Sequence, residues 1–227
     1  VDLVLCLAFN QRLRELSAAA FVQAVLVDGL GVKHLEIGDD FRFGCDRSGD
    51  FAFLQQAGAV AGFTVEEAAI VELNGSRVSS TRVREALQAA DFVEAEHLLG
   101  RPFAIAGRVV HGQKLGRQLG TPTANVQLKR HRVPLNGVFL VSMELEGVLQ
   151  PGVANIGVRP SVKADGFAHL EVHLLDFAGD LYDRRVSVVF HHKLRDEQRF
   201  ASLEALKSAI AADVVAARAY WQAQLNS

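Results

Sequence analysis

Apolar residues fill the opening stretch, Val-Asp-Leu-Val-Leu-Cys-Leu-Ala-Phe at 1–9, and such a run predicts a strand covered on both faces. Helix and strand patterns then alternate to about residue 100. Ser17 is placed to cap a helix through about Leu30, in which Phe21, Val22, Val25 and Leu26 form one stripe. Next come a short strand at 33–37, a helix at 51–61 and a strand at 63–71. Ser79 or Ser80 caps a helix through Leu87, and Asp91 with Glu94 opens another that ends at Gly100. Alternation of this kind predicts a parallel sheet with helices on its faces, whose ligands collect beyond the carboxyl ends of the strands. The loops at 38–50 and 72–84 belong at those ends.

The period changes at Arg101-Pro102. Strands at 103–111, 137–145, 152–156, 170–177 and 185–192, separated by Gly and Pro turns, predict a small antiparallel barrel. A helix from Ser202 to about Leu225 closes the chain. Its Leu203, Leu206, Ile210, Val214, Ala217 and Trp221 recur every three or four residues and form a face to lie on the barrel. The predicted class is α/β plus β in two domains, 1–101 and 102–227.

The 227 residues are 49% apolar, enough to bury a core in each half. Lys and Arg number 24 against 26 Asp and Glu, a net charge of −2 with both signs mixed. That balance excludes a disordered polyelectrolyte and supplies no field for nucleic acid or an acidic membrane, so an anion must be bound by a local site. Cys6 and Cys45 match no zinc or redox spacing. Cys6, in its apolar run, is expected to pack as a small hydrophobe, and a reducing cytoplasm is the expected compartment. The first nine residues lack a basic leader and fall far short of the ~20 residues of a membrane span. The chain begins at Val1 rather than methionine, so an upstream piece is expected.

Candidate chemistry concentrates in His111-Gly-Gln-Lys-Leu-Gly-Arg-Gln-Leu-Gly-Thr-Pro-Thr-Ala-Asn125. Gly112, Gly116 and Gly120 allow close approach and positive φ, so that backbone N–H groups can face an anion beside Lys114 and Arg117. A long hairpin loop has the same composition, and the two readings stand level. Pro122 stiffens its own neighbourhood, and Thr123 and Asn125, two residues apart on an extended chain, project to one side. Their neutral oxygens suit Mg²⁺, which takes few protein ligands, although a Thr/Asn turn bonded to its own backbone fits the same residues. In Leu170-Glu-Val-His-Leu, the apolar residues alternate onto one face and leave Glu171 and His173 on the other, where a carboxylate can accept an alcohol proton. A solvated edge-strand face is the plain alternative.

Gly116-Arg117 with Gly120-Thr-Pro-Thr-Ala-Asn125, Gly152-Val-Ala-Asn-Ile-Gly-Val-Arg-Pro160, Leu170-Glu-Val-His-Leu-Leu-Asp-Phe177 and Leu194-Arg-Asp-Glu-Gln-Arg-Phe200 resemble riboflavin kinase. Gly38-Asp-Asp-Phe-Arg-Phe-Gly44 and Val78-Ser-Ser-Thr-Arg-Val-Arg84 resemble its partner domain in the bifunctional riboflavin kinase/FAD synthetase family. The resemblance implies a partial Rossmann-like nucleotidylyltransferase domain over 1–101 and a six-stranded kinase barrel over 102–227. It implies transfer of the ATP γ-phosphoryl to the 5′-hydroxyl of riboflavin, with riboflavin, FMN and ATP as the partners. By the same resemblance Thr123 and Asn125 match the Mg²⁺ and phosphate ligands, Glu171 the catalytic base, the 112–120 loop a cover for the nucleotide phosphates, and Arg195 a neighbour of the flavin ring. Ser79, Ser80, Thr81 and Arg84 match a triphosphate motif at a helix start, and Asp40, Phe41 and Arg42 a loop lining the adenylylation site.

Thr121, Phe139, Ser161 and Asp183 depart from the commonest family residues Phe, Tyr, Thr and Gly. No His-x-Gly-His occurs in the 227 residues, so FMN is expected from them and FAD only from a chain that carries that motif. The alternative is a flavin- or nucleotide-binding module without turnover, which binding without FMN formation would reveal.

Overall fold

In the computed structural model, residues 2–112, 116, 120–128, 133–158 and 168–225 are described. Two compact units make up the chain, Val1–Glu72 and Leu73–Ser227. In the first, Ser17 Oγ accepts the Ala20 N–H at 3.2 Å and starts α1 (Ala18–Phe21), which runs on as a π-helical stretch, Val22–Val27. Strands β1 (His34–Ile37) and β2 (Thr64–Glu67) pair in parallel, His34 opposite Thr64, with α2 (Phe51–Ala61) between them in sequence. Ala18, Val22, Leu26, Phe43, Leu54 and Phe63 form the core of this unit.

The strand predicted at 1–9 does not form. Residues 2–9 have no regular structure, Leu3 and Phe9 are 84% and 80% exposed, and Cys6 is exposed rather than packed. An apolar run becomes a strand only against an edge that takes its N–H and C=O groups. Residues 2–9 pair with neither β1 nor β2, which form a sheet of two strands.

In the second unit, Ser79 caps α3 (Ser80–Gln88) and Asp91 caps α4 (Phe92–Leu99). Strands β3 (Ala104–Val110), β4 (Ala124–Gln127), β5 (Gly137–Leu145), β6 (Val148–Val158), β7 (Ala168–Leu174) and β8 (Arg185–Arg195) close into an antiparallel barrel in the order β8-β3-β4-β7-β6-β5. Alternate residues point inward: Phe139 and Val141 of β5, Ala154 and Ile156 of β6, Leu170 and Val172 of β7. Phe92 of α4 meets Phe139 edge-on at 5.9 Å and stacks on Phe190 at 6.1 Å, so the helices at 80–99 share the barrel's core. Phe139 stands where the resemblance expects Tyr. Fully buried among rings, it has no hydroxyl that needs a partner.

Strand β6 starts four residues before its predicted bound because Pro151-Gly152 reads as a turn. Pairing with β7 begins only at Gly152, opposite Leu174, so the donor that Pro151 lacks falls beyond the end of β7. His191 and His192, adjacent in an extended run, should by simple alternation face opposite ways. A bulge in β8 between Phe190 and His192 instead lets both rings meet α5 (Leu203–Leu225): His191 lies 4.9 Å from Trp221, edge-on, and His192 stacks 6.3 Å from Tyr220. His191 Nε2 also bonds Ser142 Oγ at 2.8 Å, and burial pushes its imidazole pKa down. Helix α5 buries Ala217 against Val138, Leu140 and Val153, with Val214 and Trp221 beside it. Leu203 departs from the predicted face: it is exposed, and the covered stripe begins at Leu206. No described helix is long and apolar enough to cross a membrane.

Candidate functional site

Cross-strand register builds the site. On β7, Glu171 lies opposite Asn125 of β4 on one side and Asn155 of β6 on the other. Asn155 lies opposite Val138 of β5, and Val138 opposite Arg195 of β8. Side chains directly opposite on paired strands share a face. The sequence neighbours Ala154, Val172 and Phe139 point into the core, so this row runs along the outer wall of the barrel. The same wall carries α5, and where the helix meets it a hollow of about 270 Å³ opens, lined by Thr123, Asn155, Glu171, His173, Arg195 and Asp213 among others.

Arg195 is fixed within that lining. Its Nε and Nη2 donate to Asp213 Oδ1 and Oδ2 at 2.9 and 2.8 Å, its Nη1 donates to the Asp196 carbonyl at 3.2 Å, and its guanidinium sits 5.6 Å over the Phe200 ring. Asp213 is buried, so each charge compensates the other and the fork cannot swing freely. A second hollow, about 370 Å³, is walled by Val109, Pro122, Val172, Leu174, Phe177 and Tyr182, with Thr123 on its border as well. Thr123 thus touches both.

The strap that carries Thr123 is held from two sides. His173 Nδ1 lies 2.9 Å from the Pro122 carbonyl; a carbonyl only accepts, so the ring carries its proton on Nδ1. Thr121 N–H donates to the Gly116 carbonyl at 2.8 Å. Gly112 presses on the Asn125 side chain so closely that a methyl group there would overlap the amide, and a methyl at Gly116 would strike the Thr121 carbonyl. Gly120 takes φ +80°, the left-handed turn that glycine adopts without strain. Gly112→Ala is therefore expected to leave the barrel folded, by circular dichroism, and to lower turnover at least tenfold by displacing Asn125, an order-of-magnitude figure for a misplacement near 1 Å.

Of the residues singled out in the sequence, Gly116, Thr123, Glu171 and Arg195 line one hollow, and Asn125 stands in register beside Glu171 under Gly112. Lys114 and Arg117 lie outside the described residues, as does Ser161. Ser79 caps α3 by accepting the Arg82 N–H at 3.3 Å, with Ser80, Thr81 and Arg84 in its first turns. Asp40, Phe41 and Arg42 belong to the other unit, in the loop after β1, where Phe41 stacks on Phe43 at 5.5 Å. Asp183 takes φ +62° where the resemblance expects glycine, a conformation Asp tolerates better than most residues. Two lining residues escape a reading of the sequence. Asn155 sits inside the 152–160 motif with no local pattern of its own, and Asp213 interrupts a helix face that otherwise looks apolar. His173 resembles a surface residue, although its place two residues from Glu171 on an alternating strand marks it for the same wall.

The riboflavin kinase family pattern matches residues 99–221, and the FAD synthetase pattern matches residues 1–82. A bifunctional riboflavin kinase/FMN adenylyltransferase of Pseudomonas fluorescens is 77% identical over 219 residues, which cover 96% of this chain and 70% of that protein. Its counterpart from Escherichia coli K12 is 51% identical over 224 residues, 97% of this chain and 71% of that one. A crystal structure described as a macrolide-efflux protein from Streptococcus pneumoniae superimposes with a TM-score of 0.65 at 32% identity, over 92% of this chain and 67% of that one.

Proposed function

The chain belongs to the bifunctional riboflavin kinase/FMN adenylyltransferase family, and from that premise we propose how its barrel carries out the kinase reaction, the phosphorylation of riboflavin to FMN by ATP. The observation that carries the proposal is that Thr123 borders both hollows while Glu171 lines the first. A phosphoryl group in transfer must sit where donor and acceptor meet, and Thr123 marks that junction. The flavin occupies the hollow beneath α5, beside Arg195 and Phe200, and the nucleotide the second hollow.

Glu171 accepts the proton of the 5′-hydroxyl as that oxygen bonds to the γ-phosphorus, and the bond from the γ-phosphorus to the β,γ-bridging oxygen breaks to release ADP. The Thr123 hydroxyl and the Asn125 amide oxygen are hard, neutral donors next to a carboxylate, a set that fits Mg²⁺ with phosphate and water completing the shell. When bound, that ion neutralises charge on the phosphates. The protein's own work is positioning: paired strands hold Glu171 and Asn125, and the 122–123 strap holds Thr123. Incubating the chain with Mg-ATP and riboflavin and separating the flavins by chromatography tests this directly. FMN is the expected product, and riboflavin bound without conversion would support the module reading instead.

His173 acts here as a positioning residue through its bond to Pro122. His173→Leu is expected to lower kcat about tenfold. His173→Asn, whose Nδ2 hangs from the same Cγ as the imidazole Nδ1, restores most of the loss, and His173→Gln does not. We place the functional boundary near residue 101, a reading supported by a kinase pattern that starts at residue 99, and assign the loop at 40–42 and the α3 start to adenylylation in a chain that carries the His-x-Gly-His motif.

A further inference from the structure

Asn155 sits in the middle of the proposed acceptor wall with a polar atom unused. Its Oδ1 is buried and has no hydrogen-bond partner among the described residues. Its side chain lines the hollow beneath α5 and stands directly opposite Glu171. An amide oxygen shut away from water without a donor is a standing cost to the fold, and such a group in a cleft points to a donor that arrives with the ligand. The remaining walls narrow what that donor is. Val138, Val153, Leu206, Ile210 and Val214 are apolar, Thr121, Glu197 and Gln198 add polar groups at other points of the lining, and Arg195 is already engaged by Asp213.

We infer that Asn155 Oδ1 accepts a hydrogen bond from a secondary hydroxyl of the acceptor's sugar-alcohol chain, the hydroxyl next to the one phosphorylated. The inference rests on the reading that Glu171 faces the reacting hydroxyl. Directly opposed residues on paired strands stand about 5 Å apart at Cβ, so neighbouring hydroxyls of one chain reach the carboxylate and the amide together. The wall then recognises a polyol rather than a lone alcohol: an acceptor without the second hydroxyl leaves Asn155 Oδ1 as orphaned as it is in the free protein. Asn155 thereby sets which hydroxyl is presented to Glu171, a specificity role separate from the proton transfer.

The test pairs a residue change with an atom change in the substrate, using the whole chain. Asn155→Leu removes the amide and keeps the branching at Cγ. It is expected to lower kcat/KM for riboflavin about 10- to 100-fold, the worth of a buried hydrogen bond whose partner is left stranded. With riboflavin deoxygenated at the carbon next to the phosphorylated one, unmodified protein is expected to lose a similar factor, and Asn155→Leu to cost no more than about twofold further. Because the amide oxygen is unsatisfied in the free fold, the thermal midpoint of Asn155→Leu stays level or rises. Equal losses on both acceptors, no loss on riboflavin, or a lowered midpoint shared by Asn155→Leu and Asn155→Ala would each overturn the inference. Turnover of riboflavin that survives Glu171→Gln unchanged would instead overturn the reading beneath it, whatever Asn155 does.

Discussion

Thr123→Ala and Asn125→Ala are each expected to abolish FMN formation while the barrel stays folded. Thr123 borders both hollows, and Asn125 lies in register with Glu171 under a glycine where a methyl group would overlap its amide. Alanine removes the oxygen in each case and leaves the backbone pairing untouched. Because phosphoryl transfer depends on charge neutralisation at fixed positions, loss of one ligand from a set with so few protein members is not repaired by the others. Single-turnover assays with Mg-ATP, alongside circular dichroism, separate lost chemistry from lost fold. Rates within about tenfold of the unmodified chain would remove these residues from the phosphate site.

Glu171→Gln is expected to lower kcat by roughly 10²–10⁴-fold, the usual worth of a positioned general base. Gln keeps the shape and one acceptor oxygen, so the KM for riboflavin should change far less than kcat. A loss confined to KM would make Glu171 a binding residue rather than the proton acceptor. The strand supports the swap well: residues 170, 172 and 174 are buried in the core, so β7 is anchored whichever side chain faces outward at 171.

The barrel's other elements show why some positions are legible in the sequence and others are not. Glu171 is legible because strict alternation over 170–174 separates an inner from an outer face, and the same alternation binds His173 to its wall. Strand β4 is not: four residues, Ala124–Gln127, carry too little pattern to declare a strand, and only Pro122 hints at their extended form. Asp213 is hidden because a carboxylate on an otherwise apolar helix face reads as an exposed interruption, whereas Arg195 arrives from 18 residues earlier in the chain to compensate it. The bulge at His191 likewise leaves no mark in a run of strand-forming residues.

Local chemistry in the chain decided the elements themselves. Caps at Ser17, Ser79, Asp91 and Ser202 and the two-residue period of β7 act over a few neighbouring residues, where torsional preference and nearby hydrogen bonds dominate. Register is different, because it depends on which strand lies beside which, and that is settled by burying one whole face of all six strands at once. Only that closure sets Asn125, Glu171 and Asn155 abreast and turns Arg195 toward Asp213. In the other unit, the apolar run at 2–9 stays uncovered because it pairs with neither strand of the two-stranded sheet. The residue types of the site were written locally; their convergence came from the barrel closing on itself.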